Sequence, residues 1–319
     1  MTEKVQVSVG IITRDRARYL DDCLESILGQ TKLPDQVIVY NDGSTDQTES
    51  VVRSKEKKFH DSSIEFKYLF SHECKAQPYG RNKIIENSAA TIIAFVDDDV
   101  VCVKSWLKNL STSYWDVSVG GVGGPAIRVD YNMKPVWREI KTDRNINIIN
   151  KYGEVCDYSD NWIPPLPVET HVLRGANMSF RRDVLIEIGG FDENYFGRAY
   201  MEDTDVQVRI QDAGYRLIYN PQVYVFHRAI PVGGANVRSK KSDWHSVGFT
   251  SAYFIRKYFW QYYLITISRM FFRVRYSPIP IPRLFFEAIR QRSVAPLWAM
   301  KGYFDGFRKW PHSRLKSNS

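Results

Sequence analysis

Three adjacent carboxylates, Asp97-Asp98-Asp99, follow directly on the apolar run Ile92–Val96. Acidic groups crowded at the end of a buried strand repel one another, and loss of water pushes their pKa values up. A divalent cation relieves both penalties. A hard-oxygen site of one or two carboxylates plus substrate phosphates is the usual way to hold Mg2+ or Mn2+. The competing reading is a solvated acidic turn capping the next helix. The surroundings favour the site, because Asp42 stands at the equivalent end of an earlier apolar run and Thr13 at the end of the first.

The elements that must carry these groups are legible from periodicity. Val5 to Ile12 reads as a buried strand, and Leu20, Cys23, Leu24, Ile27 and Leu28 have the spacing of an amphipathic helix. Gln36–Tyr40 is a second strand closed by the turn Asn41-Asp42-Gly43-Ser44, and Asp46 with Glu49 predicts a capping pair for the following helix. Ile64–Phe70 is a third strand, Arg81–Ala89 a helix, and Ile92–Val96 a fourth strand. Strands alternating with helices in this way predict α/β architecture with a largely parallel sheet. Ligands of such sheets bind at the carboxyl ends of the strands, where Thr13, Asp42 and the acidic triplet fall.

The stretch 130–170 has weak periodicity and is expected to be loops. Order returns at Val172–Phe180, a helix from Arg182 stopped by Gly189-Gly190, and a helix from Glu202 to Gly214. A strand-like run, Tyr219–Phe226, then leads to His227. A lone histidine there is either a satisfied core group or a metal ligand.

Composition is globular, with 44 % hydrophobic and 25 % charged residues, and the length suits one large α/β domain with an appendage. Four scattered cysteines without metal-type spacing predict reduced thiols and a cytoplasmic setting. The chain enters a strand pattern at once, which predicts no signal peptide. Its net charge of +8 is uneven. Ser239–Ser319 holds 15 Lys and Arg against 3 Asp and Glu, a local +12, and residues 1–238 carry −4.

Several segments in order resemble glycosyltransferase family 2: VSVGIITRDRARYLDDCLESILGQ, VIVYNDGSTDQT, AFVDDDV, GANMSFRRD, GGFDE and EDTDVQVRIQDAGYRLIYNP. The resemblance spans about residues 5 to 230. One departure is Asn41, where the family often has another acid. The resemblance implies a GT-A fold, Rossmann-like with a mostly parallel sheet between helices, and a catalytic domain over 1–238 divided into a nucleotide-binding half (1–129) and an acceptor-binding half (130–238). Beyond it the change of pattern after Ser239 predicts a C-terminal helical, aromatic and basic extension over 239–319.

The implied activity is inverting, metal-dependent sugar transfer from a nucleotide diphosphate sugar, UDP-sugar favoured, to a saccharide or lipid-linked acceptor. Thr13, Arg14, Asp42, Arg81, Asp97 and Asp98 would serve the donor, with Asp42 accepting from a base N–H. Arg81 would reach the base or phosphates, or else be a helix-surface charge. Asp97, Asp99 and His227 would hold Mn2+ or Mg2+, and a nitrogen donor beside carboxylates tilts the choice toward Mn2+. Asp203 would be the general base with Glu202 as its neighbour and alternative. Without the resemblance, Glu202, Asp203 and Asp205 would only favour the dipole of their helix. Gly175, Ala176 and Asn177 would form the acceptor-side loop.

Two rival functions are weaker. A sugar-1-phosphate nucleotidyltransferase should show a Gly-rich phosphate loop where this chain reads IITRDRARYL. A nucleic-acid-binding protein should carry a recognised module as well as a basic tail, and none is present. The tail from Trp244 to Tyr276 interleaves Phe249, Tyr253, Phe254, Tyr258, Phe259, Trp260, Tyr262, Tyr263, Phe271 and Phe272 with Arg256, Lys257, Arg269, Arg273 and Arg275. No stretch approaches the ~20 apolar residues of a spanning helix. Aromatics beside cations predict a peripheral contact on the inner face of the membrane. The alternative is packing on the catalytic domain or on a partner subunit in a homo-oligomer.

Overall fold

The computed structural model describes residues 5–136, 147–151, 153, 155–156, 163–230, 233–234, 240–259, 261 and 298–308. The opening apolar run forms β1 (Val7–Thr13). It is followed by α1 (Ala17–Leu28), β2 (Gln36–Asp42), α2 (Thr48–Asp61), β3 (Glu65–Ser71), α3 (Gln77–Asn87) and β4 (Ile92–Asp97). Next come β5 (Val100–Cys102), α4 (Trp106–Thr112), β6 (Val119–Gly123), β7 (Ala126–Arg128), β8 (Ile148–Ile149), β9 (Val155–Cys156) and β10 (Val168–Thr170). The body closes with β11 (Asn177–Arg181), α5 (Arg182–Glu187), α6 (Glu202–Asp212), β12 (Arg216–Tyr219) and β13 (Val225–His227). Helices α7 (Lys240–Tyr258) and α8 (Trp298–Arg308) follow.

The main sheet has eight strands in the order β10-β12-β6-β11-β4-β1-β2-β3. Strands β1 to β4 pair in parallel, β11 runs against β4 and β6, β12 is parallel to β6, and β10 reverses again. The largely parallel sheet is therefore present, with two reversed strands. Both faces are covered, as a parallel sheet requires. One face packs on Leu20, Leu24, Ile27, Phe59 and Trp106 from α1, α2 and α4. The other packs on Ile84, Val184, Val206 and Ile210 from α3, α5 and α6.

Several sequence boundaries move. The run Tyr219–Phe226 is two strands in different sheets, because Asn220-Pro221 ends β12 in a turn that brings the Val223 N–H onto Asn220 O at 3.0 Å. A turn at Arg174–Asn177 likewise breaks up Val172–Phe180, so that only β11 is strand. Helix α3 begins at Gln77, with Pro78 in its first turn, where a missing N–H costs nothing. The Asp46–Glu49 capping pair does not form. Asp46 accepts from Thr48 N and Ala17 N, tying the starts of α1 and α2 together, and Glu49 pairs with Arg53. Between 130 and 170 the described residues are mostly loop, with the β8–β9 hairpin and β10.

A second, three-stranded sheet matters for the site. Strand β13 lies between β5 and β7, with His227 opposite Val100, the residue after the acidic triplet. Helix α7 crosses the 238/239 boundary in packing terms. Its Phe249, Tyr253 and Phe254 form one buried cluster with Val172, Tyr195, Ala199 and Met201 of the body. These three aromatics are thus core rather than membrane contacts, while Trp260, Tyr262, Tyr263, Arg269, Phe271, Phe272, Arg273 and Arg275 lie outside the described residues. Helix α8 packs on α7 at backbone contact: a Cβ on Gly302 would stand 2.0 Å from His245 O.

Candidate active site

The site grows from the end of β4. Asp97 closes that strand, Asp98 and Asp99 make the turn, and the second sheet delivers His227 beside them. One ligand atom each from Asp97, Asp99 and His227 lie within 4.8 Å of one another. His227 Nε2 is 3.3 Å from Asp99 Oδ1 and 3.8 Å from Asp97 Oδ2. Asp99 Oδ2 accepts from Ile230 N at 2.8 Å, whereas the buried Asp99 Oδ1 faces His227 Nε2. Carboxylates buried this close together are costly unless a cation meets them. Two carboxylates and one imidazole suit Mn2+ or Mg2+, so the residues fit the expected ion.

The three carboxylates titrate differently. Burial pushes Asp97 up, against the pull of His227. Burial acts on Asp99 too, but His227, Arg16 and the Ile230 N–H outweigh it and hold Asp99 below the usual range. Asp98 is pushed up to about 7 by burial, with Arg16 opposing. Asp98 also differs in role. It accepts from Thr13 Oγ1 at 2.8 Å and from Arg16 Nη1 at 2.9 Å, stitching the ends of β1 and β4 together. Arg16 further approaches Asp99 Oδ2 at 3.4 Å and donates to Ile230 O at 2.8 Å.

A cleft of about 740 Å3 opens at the strand ends and is lined by Thr13, Arg14, Asp42, Asp97, Asp98, Asp99 and His227. The predicted donor residues other than Arg81 meet here. Asp42 is buried and fastens the loop before α3, accepting from Lys75 N at 2.6 Å, Ala76 N at 3.2 Å and Cys74 Sγ at 3.0 Å. Asn41 closes its turn by accepting from Ser44 N and donates to the Tyr68 hydroxyl, so the family's usual acid is replaced by a structural amide.

A second cavity of about 390 Å3 shares Gln77, Asp97, Arg198, Tyr200 and His227 with the first, and adds Arg81, Arg174, Gly175, Ala176, Glu202 and Asp203. Asp97 and His227 of the cluster therefore stand at the junction, with Asp99 on the side of the first cavity. Arg81 lines this second cavity rather than the first. It pairs with Glu202 in a buried ion pair and lies over the Phe95 and Phe191 rings at 5.9 and 5.2 Å. Glu202 is thereby committed to Arg81, and Asp203, which accepts from Thr204 N at 2.8 Å, lines the same cavity. Gly175 makes room for it: a Cβ there would stand 3.1 Å from Asp203 Oδ2.

Asn177, expected on the acceptor side, lines neither of these two cavities. Its side chain is fully buried, accepts from Trp106 Nε1 at 2.9 Å and donates to Val223 O at 2.7 Å. The polar residue type in GAN suggested a ligand contact, but its register in β11 turns it into the core.

The glycosyl transferase family 2 model matches residues 8–189, more than half of the chain. The chain belongs to this family. A glucosyl-dolichyl phosphate glucuronosyltransferase of Haloferax volcanii is 27 % identical over 239 residues, covering 70 % of this chain and 69 % of the relative. Among solved structures, the mannosyltransferase PcManGT from Pyrobaculum calidifontis, in complex with GDP-Man and Mn2+, superposes with a TM-score of 0.54 at 19 % identity. It covers 94 % of this chain and 74 % of that one. TarS 1–349 of S. aureus, in complex with UDP-GlcNAc, gives 0.55 at 14 % identity over 95 % and 90 %.

This family 2 glycosyltransferase has the GT-A fold. Membership sets aside the nucleotidyltransferase alternative. Arg16, Arg198 and Tyr200 are site residues that sequence reasoning missed. Arg16 stood in the run Thr13-Arg14-Asp15-Arg16, but a lone cation carries no spacing signature. Arg198 and Tyr200 enter only through the folded loop before α6.

Proposed function

We propose that this glycosyltransferase moves a sugar from a nucleoside diphosphate, UDP favoured, to an acceptor hydroxyl with inversion at the anomeric carbon. The observation that carries the reading is the junction of two cavities, with Asp97 and His227 on their shared wall, Asp99 beside them in the larger cleft and Asp203 in the second. The donor lies in the larger cleft, its base near Thr13 and Asp42 and its diphosphate beside the cluster. Asp97, Asp99 and His227 would hold Mn2+ or Mg2+, which would supply charge neutralisation for the departing diphosphate. Asp203 accepts the proton of the acceptor hydroxyl while that oxygen forms its bond to the anomeric carbon. The bond from that carbon to the diphosphate oxygen breaks on the opposite face, and the nucleoside diphosphate leaves.

The acceptor is a saccharide, lipid-linked in the favoured reading. Support comes from the relative that acts on glucosyl-dolichyl phosphate and from the basic, aromatic tail. The enzyme then works in the cytoplasm at the inner membrane face, held there peripherally. No helix among the described residues is long and apolar enough to cross a membrane.

The test is release of nucleoside diphosphate from UDP-GlcNAc, UDP-glucose and GDP-mannose, with Mn2+ and with EDTA, followed by proton NMR of the new anomeric centre. Inversion is expected. Asp203→Asn should lower turnover by about 10²–10⁴-fold with donor affinity unchanged. Retention of configuration, or an Asp203→Asn variant that loses donor binding instead of turnover, would overturn the mechanism.

A further inference from the structure

The first turn of α6 is held at two carboxylates that flank Asp203 in sequence. On one side Glu202 is engaged by Arg81 of α3. On the other, Asp205 is completely buried and receives a cluster of donors. Its Oδ1 accepts from Lys257 Nζ at 2.7 Å, the Tyr258 hydroxyl at 2.8 Å and the Tyr195 hydroxyl at 3.1 Å, and its Oδ2 from Arg209 Nε at 2.9 Å. Lys257 and Tyr258 belong to α7, outside the segment matched by the family model. Lys257 also reaches Asp192 at 2.9 Å, and the Tyr253 hydroxyl joins it there at 3.1 Å.

This network is balanced: Asp192 and Asp205 against Lys257 and Arg209. Removing one member leaves an uncompensated buried charge, which a folded chain relieves by letting water in or by moving the element that carries it. The element that carries Asp205 also carries Asp203, two residues earlier in the same turn. Helix α7 grips the approach to that turn as well. The Phe196 and Phe249 rings lie 5.0 Å apart, those of Tyr195 and Tyr253 5.4 Å, and Ser246 Oγ accepts from Arg198 N at 3.1 Å. The loop so held has Gly197, Ala199 and Met201 at positive φ, a conformation that persists only when the surroundings impose it.

We propose that Lys257, with Tyr258 beside it, is a positioning residue for the general base: α7 acts through Asp205 to fix where the Asp203 carboxylate stands. The C-terminal helix is thereby part of the catalytic apparatus. The proposal rests on the assignment of Asp203 as base.

The test compares Lys257→Met, Lys257→Arg, Tyr258→Phe and Asp203→Asn in the full chain. Two readouts are used: nucleoside diphosphate release from UDP-GlcNAc or GDP-mannose with Mn2+, and amide hydrogen exchange. Lys257→Met should lower kcat by about 10-fold or more with KM for the donor unchanged, since a misplaced base costs turnover rather than binding. It should also speed exchange over residues 199–206 without altering exchange in β1 and β2. Lys257→Arg keeps the charge but not the compact ammonium, and should recover both readouts in part. If Lys257→Met does not fold, Tyr258→Phe decides, with a smaller kcat loss of about 3-fold and the same local rise in exchange. Unchanged kcat and unchanged exchange over 199–206 in the folded variant would overturn the proposal, as would a methionine defect that arginine does not lessen. An active Asp203→Asn would instead sink the base assignment, leaving the effect of Lys257 on 199–206 to be read by exchange alone.

Discussion

Asn177 and Asp203 show how residue type and residue placement diverge. Both sit in segments that the resemblance assigns to the acceptor side, yet only Asp203 lines a cavity. Asn177 spends its amide on Trp106, Pro125 and Val223, pinning β11 to α4 and to the turn before β13. Asn177→Ala should therefore act on stability. It strands the buried Trp106 N–H and should cost about 1–3 kcal/mol, lowering Tm by several degrees. Donor KM should stay as it is, and differential scanning calorimetry beside steady-state kinetics separates the two. A variant of normal Tm with a raised acceptor KM would return Asn177 to the acceptor site.

The elements differ in how their burial responds to pH, and Asp192 gives the clearest case. Burial alone would raise its pKa, but Lys257 and the Asn194 contacts hold it down at about 2. A depressed folded value means that the stability is fully present above the unfolded value near 3.9 and drains away as pH falls through about 2. The pair's share is about 1–2 kcal/mol after solvent screening. Urea titrations at pH 5 and pH 2.5 should show that loss in the native chain, and Asp192→Asn should show less of it. An equal loss in both would detach Asp192 from the acid sensitivity. The docking of α7 that creates this pair was not legible in the sequence. The strand–helix alternation of residues 5–100 was legible, because buried parallel strands and amphipathic helices print their own periods. In the tail, aromatics beside cations read equally well as a membrane face or as a packed helix. What decides for Phe249, Tyr253 and Phe254 is the cavity between β10–β11 and the loop before α6, made by residues far away in sequence. The same limit applies to Arg81. Its pairing with Glu202 joins positions 121 apart and has no local signature.

At the scale of the molecule, the positive charge and the acidic cluster belong to different parts of the sequence. The body is mildly acidic and the segment from Ser239 onward strongly basic, so any attraction to an anionic surface comes from the tail. The full chain should float with anionic liposomes at low salt and be released as salt screens the contact. Replacing Arg269, Arg273 and Arg275 by Gln should abolish flotation with turnover of a soluble donor intact. Deleting residues 239–319 would be a poor comparison, because it uncovers Tyr195, Ala199 and Met201. Flotation that ignores both salt and these arginines would remove the membrane from the account. The central claim is that one acidic cluster couples a cation to a nucleoside diphosphate. It is tested most directly by thermal shift with UDP and with GDP, each with and without Mn2+, in the native chain and in Asp99→Asn. A ligand that binds only the folded state raises Tm by mass action. One nucleotide should raise Tm in the native chain only when Mn2+ is present, and Asp99→Asn should fold but show no such rise. A rise that needs no metal, or one that survives in Asp99→Asn, would contradict the account.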